Sequence, residues 1–128
     1  MNKRIAVLVS GGGTNLQALL DAQSRGEIVN GEIAAVISSS PEAYALERAK
    51  KAGVPGYVLE KKDCPDAASL THTLVELLHK LDIQLVVMAG FMTIVTGELF
   101  QAYENAVINV HQVGGQAVLG RQGILTTP

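Results

Sequence analysis

Ile5-Ala6-Val7-Leu8-Val9-Ser10-Gly11-Gly12-Gly13-Thr14-Asn15-Leu16-Gln17-Ala18 decides the fold class of this chain. The apolar run Ile5–Val9 reads as a short strand buried on both faces. It enters three consecutive glycines and then Leu16, Leu19 and Leu20 at helical spacing, with Arg25-Gly26 as the helix end. The first N–H groups of a helix have no intrahelical partner and carry partial positive charge. Glycine lets an anion approach such backbone closely and permits positive φ. The segment therefore reads as a phosphate cradle, with Gly13, Thr14 and Asn15 as its binding residues. The competing reading is a tight strand-to-helix turn with Thr14 as a simple N-cap, although three glycines exceed what such a turn needs. The stretch lacks the Lys and spacing of G-x-x-x-x-G-K-[ST] and the third glycine of G-x-G-x-x-G, so a single phosphate fits it better than a dinucleotide.

Outward from this segment, strand and helix patterns alternate. Glu32–Ser38 is the second strand. Ser40 and Pro41 look like the N-cap and first position of a helix carrying Ala43, Leu46 and Ala49, stopped by Gly53 and Pro55. Tyr57–Leu59 is a third, short strand, and Lys61–Asp66 a polar loop. Leu70, Leu74, Leu77, Leu78 and Leu81 mark an amphipathic helix. Ile83–Ala89 is the best central strand. Gly90–Thr93 turns the chain, Leu99 and Tyr103 suggest a short helix, and Ala106–His111 is a fifth strand. The pattern predicts an α/β fold, a Rossmann-like parallel sheet flanked by helices with right-handed crossovers. Residues 112–128 break the pattern and are expected to form an irregular Gly/Gln-rich tail.

Composition narrows the function classes. The 128 residues suit one domain. Net charge is −2 and no basic run exceeds two residues, which gives no footprint for nucleic acid or an anionic membrane. Cys64 is the only cysteine, so neither an internal disulfide nor a multi-thiolate metal site is available. No apolar stretch reaches membrane-spanning length, and Lys3-Arg4 precede too few apolar residues for a secretory signal. A soluble, cytoplasmic protein is expected.

Topology brings three segments to one rim. In an open parallel sheet, ligands sit beyond the carboxyl ends of the strands, near the reversal of strand order. Gly11–Asn15, Gly90–Val95 and the pair Asn109 and His111 all lie at such ends. Strand alternation puts Asn109 and His111 on one face. An amide can hydrogen-bond a developing oxyanion, and an imidazole can shuttle a proton near neutral pH. Spacing alone leaves the pair equally readable as polar residues at a frayed strand end. His72 and His79 read as surface positions of the third helix, and Cys64 as an ordinary thiol. Ile37 is followed by three serines, so no carboxylate ends the second strand to hold an adenosine ribose.

In combination these residues resemble a family. Ile5–Ala18, Leu46-Glu47-Arg48-Ala49 with Ala52-Gly53, Val87-Met88-Ala89-Gly90-Phe91-Met92 and Val107-Ile108-Asn109-Val110-His111 are similar to the phosphoribosylglycinamide formyltransferases, in order, up to about residue 111. Formyltetrahydrofolate hydrolases and methionyl-tRNA formyltransferases share the fold and the Asn-x-His element, but the Gly-Gly-Thr-Asn-Leu loop favours the purine enzymes. The resemblance implies attack of the glycinamide ribonucleotide amine on the formyl carbon of 10-formyltetrahydrofolate, through a tetrahedral oxyanion. It implies Gly13, Thr14 and Asn15 at the ribonucleotide phosphate. Met92, Thr93, Ile94 and Val95 would line the folate pocket, Asn109 would polarise the formyl oxygen, and His111 would transfer the proton. It also implies a nucleotide-binding domain over residues 1–111 and no metal.

The sequence departs from the family in three places. Thr93 stands where relatives often carry Arg, and Ala67 where relatives use an Arg against the folate. After His111 the family's His-Pro-Ser-Leu-Leu-Pro is replaced by Gln112-Val113-Gly114-Gly115-Gln116, and no Asp or Glu follows Glu104 to orient the histidine. The expectation is a truncated or frame-altered transferase with little activity by itself, which would need a complementing carboxy-terminal half or a second copy. A phosphoribosyl-binding module without catalysis is the alternative.

Overall fold

The computed structural model describes residues 3–28, 30–89, 91, 95–113 and 116–121, with backbone alone at 63, 110–113 and 116–121. Strand β1 (Lys3–Val9), helix α1 (Thr14–Ser24), β2 (Gly31–Ser38), α2 (Tyr44–Lys51) and β3 (Gly56–Val58) follow one another. After a single 3-10 turn at Lys61–Asp63 come α3 (Ala67–Lys80), β4 (Leu85–Ala89), α4 (Gly97–Ala102), β5 (Val107–Val113) and β6 (Gln116–Arg121). They build one sheet in the order β3-β2-β1-β4-β5-β6. The first five strands in that order are parallel, and β6 returns antiparallel along β5. The parallel α/β sheet expected from the sequence is thus observed.

The apolar runs of the inner strands are buried on both faces, and alternation divides them between two layers. Ile5, Val7 and Val9 of β1 pack with Leu16 and Leu20 of α1 and Ala45 and Ala49 of α2. Ala6 and Leu8 pack on the other side with Leu70, Leu74 and Leu78 of α3 and Leu99 of α4. The register of β1 with β2 slips by one residue between Ile5 and Ala6. That bulge lets Ile33 and Val36, three apart, face the same layer. Helix α3 is capped by Asp66, whose Oδ1 accepts from the Ser69 N–H at 2.8 Å. The same bond holds the Asp66 carboxyl below its ordinary pKa. At the other end of this layer the buried Tyr103 hydroxyl donates to the Ile83 carbonyl at 2.9 Å, fastening the chain after α4 to the entrance of β4.

Turns at the amino ends of the strands share a backbone habit. Asn30, Asp82 and Asn105 have φ of 61°, 57° and 60°, and stand just before β2, β4 and β5. Asn and Asp tolerate this left-handed conformation because their short polar side chains bond locally.

Two expectations are corrected. Helix α2 does not begin at Ser40-Pro41 but at Tyr44, with Ala43 extended at its N-cap. Ser40 is held instead by its neighbour, the Ser38 Oγ donating to the Ser40 carbonyl at 2.7 Å and accepting from the Ser40 N–H at 3.0 Å. Competition of this kind is why serine clusters favour turns over helix starts. The stretch after His111 is also not irregular throughout. Strand β5 continues to Val113, and 116–121 pair with it from Val113↔Gln116 to Ile108↔Arg121. The cue in the sequence is the dipeptide Gly114-Gly115, a hairpin-turn signal.

Candidate functional site

Strand order reverses between β1 and β4, since β2 and β3 lie to one side and β5 and β6 to the other. The crevice at the carboxyl ends of β1 and β4 is therefore the topological switch point. The glycine segment leaves β1 there, and the segment that joins β4 to α4 starts there, after Ala89. Rungs of the ladder align Leu8 with Met88 and Met88 with Asn109, so Asn109 lies one strand beyond the crevice, near the same rim. His111 follows two positions further along β5, its backbone opposite Val118. Helix α1 runs close enough to approach β5 as well as β2.

The glycines differ in what they are for. Gly13 sits at the N-cap of α1 with φ of 81°, in the left-handed region. A Cβ built there would lie 2.7 Å from the Ala45 Cβ. Only glycine fits, because both the backbone and α2 exclude a side chain. At Gly11 and Gly12 a Cβ would meet nothing within 4 Å, and both residues are exposed. Packing does not require glycine at these two positions; their bareness leaves main-chain groups uncovered. Thr14 is the first residue of α1, exposed, and no side chain caps the helix, so the reading of Thr14 as a simple N-cap is not what forms. Asn15 is half-buried in the first turn.

Helix α2 holds this loop through main-chain carbonyls. The Ala45 N–H donates to the Gly11 carbonyl at 3.1 Å. The Arg48 Nε donates to the Gly12 carbonyl at 2.7 Å, and its Nη1 to Gln17 Oε1 at 3.1 Å. The guanidinium lies 5.0 Å from the centre of the Tyr44 ring. The strand ends are tied as well: Ser39 N–H donates to the Val9 carbonyl at 3.0 Å, and Ser39 Oγ to Ser10 Oγ at 2.6 Å. The serines after β2 thus brace the rim and offer no acidic partner for a ribose diol.

On the β4 side, Phe91 and Val95 are half-buried against the α3 layer. Met92, Thr93 and Ile94 lie outside the described residues. The far end of the segment is anchored to α3, where the buried Thr71 Oγ1 accepts from the Thr96 N–H at 2.9 Å. Beside it His72 stands between Glu98 at 2.8 Å and Glu76 at 3.1 Å. Both carboxylates, Glu98 foremost, raise the His72 pKa above its ordinary value. His72 and His79 are exposed, as the helical pattern implied, and no cluster among the described residues could hold a metal ion. No helix among the described residues is long and apolar enough to cross a membrane. Sequence reasoning missed Arg48 and Thr71, whose partners lie 36 and 25 residues away and carry no local signal.

Comparison with known proteins agrees with this geometry. The family model described as formyl transferase matches residues 3–113. Phosphoribosylglycinamide formyltransferase of Haemophilus influenzae is 39% identical over 109 residues, covering 85% of this chain and 51% of the relative. The trifunctional purine biosynthetic protein adenosine-3 of Drosophila pseudoobscura is 39% identical over 110 residues, 85% of this chain and 8% of that protein. Glycinamide ribonucleotide transformylase 1 of Symbiobacterium toebii superposes with a TM-score of 0.81 at 41% identity, over 86% of this chain and 51% of its own. The Geobacillus kaustophilus counterpart gives 0.84 at 29% identity, over 100% and 79%. The chain spans about half the length, 51%, of the Haemophilus relative. The resemblance read from the loop, the Ala-Gly-Phe-Met turn and Asn-x-His is borne out, and this chain belongs to the formyl transferase family.

Proposed function

We propose that this chain carries the phosphate-binding part of a site that moves a formyl group from 10-formyltetrahydrofolate to the amine of glycinamide ribonucleotide, a step of purine synthesis. The observation that carries the reading is the pair Gly11 and Gly12, exposed and free of any packing demand, ahead of a left-handed Gly13 that opens α1. Similarity to the Haemophilus phosphoribosylglycinamide formyltransferase and the Symbiobacterium glycinamide ribonucleotide transformylase supports it.

In this reading Gly13, Thr14 and Asn15 hold the ribonucleotide phosphate on main-chain N–H groups at the start of α1. Docking the phosphate fixes the reach of the amine toward β5 and turns a bimolecular encounter into an oriented one. The folate co-substrate supplies the formyl group. Met92, Thr93, Ile94 and Val95 are assigned to its pocket. Phe91 and Val95 offer half-buried apolar surface there, suited to a flat ring system. Asn109 donates its amide N–H to the formyl oxygen, which gains negative charge as the new C–N bond forms. His111 manages the protons: one leaves the amine as that bond forms, and one reaches the departing nitrogen as the old C–N bond breaks. Residues 1–111 form the nucleotide-binding domain, at work in the cytoplasm, partnered by a complementing carboxy-terminal half or a second copy.

One observation favours a second reading, a phosphoribosyl-binding module without turnover. No Asp or Glu follows Glu104, so within these 128 residues no carboxylate beyond β5 orients His111. Loss of a carboxylate that orients a catalytic histidine costs about 10⁴ in rate in the serine-protease triad. Two measurements decide. Glycinamide ribonucleotide at about 100 times its Kd should stabilise the folded chain by roughly 2.7 kcal/mol, and Asn15→Ala should shrink the shift. A formyl-transfer assay on the 128-residue chain should run near background, rising when a carboxy-terminal half is supplied. A folded protein that shows no thermal shift overturns the cradle; robust turnover by the chain alone overturns the binding-module reading.

A further inference from the structure

We propose that Arg48 is a positioning residue for the phosphate cradle, aiming the Gly13 N–H by holding the Gly12 carbonyl. The proposal rests on the cradle reading above and adds how the cradle is kept open.

The argument starts from the peptide plane. In a trans peptide the C=O of one residue and the N–H of the next point in opposite directions. The Gly11 carbonyl faces α2 because the Ala45 N–H takes it, so the Gly12 N–H faces away from α2. The Gly12 carbonyl faces α2 because Arg48 Nε takes it at 2.7 Å, so the Gly13 N–H also faces away. Two successive amides are thereby turned to the same open side, ahead of the orphan N–H groups of α1. Successive N–H groups around a left-handed residue form a concave anion seat.

Glycines need such a device more than other residues. With no Cβ, the peptides at Gly11 and Gly12 rotate more freely than those of other residues, and a Cβ built at either would meet nothing within 4 Å, so side-chain packing does not fix them. A carbonyl turned outward in place of an N–H would repel a phosphate. Arg48 is itself fixed at several points. Its Nη1 bonds Gln17 Oε1, whose Nε2 bonds Asp21 Oδ1 at 2.9 Å, and Tyr44 lies beside its guanidinium. A rigid planar fork presents donors on separate nitrogens at fixed geometry to both acceptors, whereas an ammonium presents them from a single rotating nitrogen. Ala45 and Arg48, one helical turn apart, thus key α2 into the loop.

The probe is ribose 5-phosphate, titrated into the isotope-labelled 128-residue chain by calorimetry and amide NMR. In the wild type the Gly12 and Gly13 amide resonances should move on binding. Arg48→Met should raise Kd about tenfold, the size of one lost charge-assisted hydrogen bond, and should shrink the Gly13 displacement. The factor should be the same at about 0.05 M and about 0.5 M salt, because a positioning effect is not screened. A Kd within about twofold of wild type overturns the role of Arg48 and leaves the cradle standing. A penalty that vanishes at high salt also overturns it, in favour of direct charge attraction. If the wild type does not bind, or binds without moving Gly12 and Gly13, the cradle reading itself fails and takes this proposal with it. Should Arg48→Met not fold, Arg48→Lys decides: about a threefold weaker Kd supports the fork, and wild-type affinity refutes it.

Discussion

Replacing Gly13 by alanine should be the most damaging one-methyl change in the rim. Two costs add at this position. A residue with a Cβ pays about 1–2 kcal/mol to hold φ of 81°. The new Cβ would also stand 2.7 Å from the Ala45 Cβ and 2.9 Å from its Cα, and backbone cannot swing aside as a side-chain tip can. Overpacking of this kind costs about 1–3 kcal/mol. Alanine recovers about 0.4–1 kcal/mol by stiffening the unfolded chain. The net loss is about 1–4.5 kcal/mol, which for a domain of this size lowers Tm by roughly 4–18 °C. The assay is thermal unfolding followed by circular dichroism, with Gly12→Ala as the comparison. A Cβ at Gly12 meets nothing within 4 Å, so that variant should stay within about 0.5 kcal/mol of wild type. If Gly13→Ala melts within about 2 °C of wild type, the tight seat of the loop against α2 is wrong.

Other expectations follow from contacts already described. Tyr103→Phe removes a buried hydroxyl and strands the Ile83 carbonyl, and should cost about 1–2 kcal/mol in urea unfolding; an unchanged midpoint would show that water serves that carbonyl equally well. His72 has a raised folded pKa, so the stability it lends is fully present below its ordinary value of 6.5 and is lost as pH rises through the raised value. Melting temperature should therefore fall slightly from pH 6 toward pH 8 by a component absent in His72→Gln, and an identical pH slope in the two proteins would remove the Glu76–His72–Glu98 bridge as its cause. Leu74→Ala, fully buried at the centre of the α3 layer, should cost about 2–5 kcal/mol, and a loss below about 1 kcal/mol would mean that the layer collapses around the cavity.

The parts of the fold that were legible were those where local pattern and tertiary need coincide. Ile5–Val9 and Leu85–Ala89 are apolar on both faces because parallel strands are covered on both faces, so their sequence alone says strand. Leu70, Leu74 and Leu78 repeat at helical spacing because one stripe of α3 faces the sheet. Ser40-Pro41 misled because a serine's oxygen can serve a turn or a helix start equally well, and here the Ser38–Ser40 bonds won. Strand β6 was missed because residues 116–121 lack the apolar alternation of a covered strand, leaving Gly114-Gly115 as the sole cue. At the site, the location of the glycine loop and of Asn109 on one rim followed from strand order alone. The use of each glycine did not, since only the placement of Ala45 separates Gly13 from its two neighbours. Arg48 was visible as part of Leu-Glu-Arg-Ala, yet its partner at Gly12 is set by the crossing of α2 over the loop.

The left-handed turns at Asn30, Asp82 and Asn105 have a practical consequence for anyone engineering this chain. All three stand at the entrances of strands, on the rim opposite the crevice. Glycine adopts the same conformation without steric penalty, so exchanges there adjust the resilience of the scaffold from below. Dyes, tags and stabilising substitutions can be directed to that floor while the crevice at the roof is varied independently.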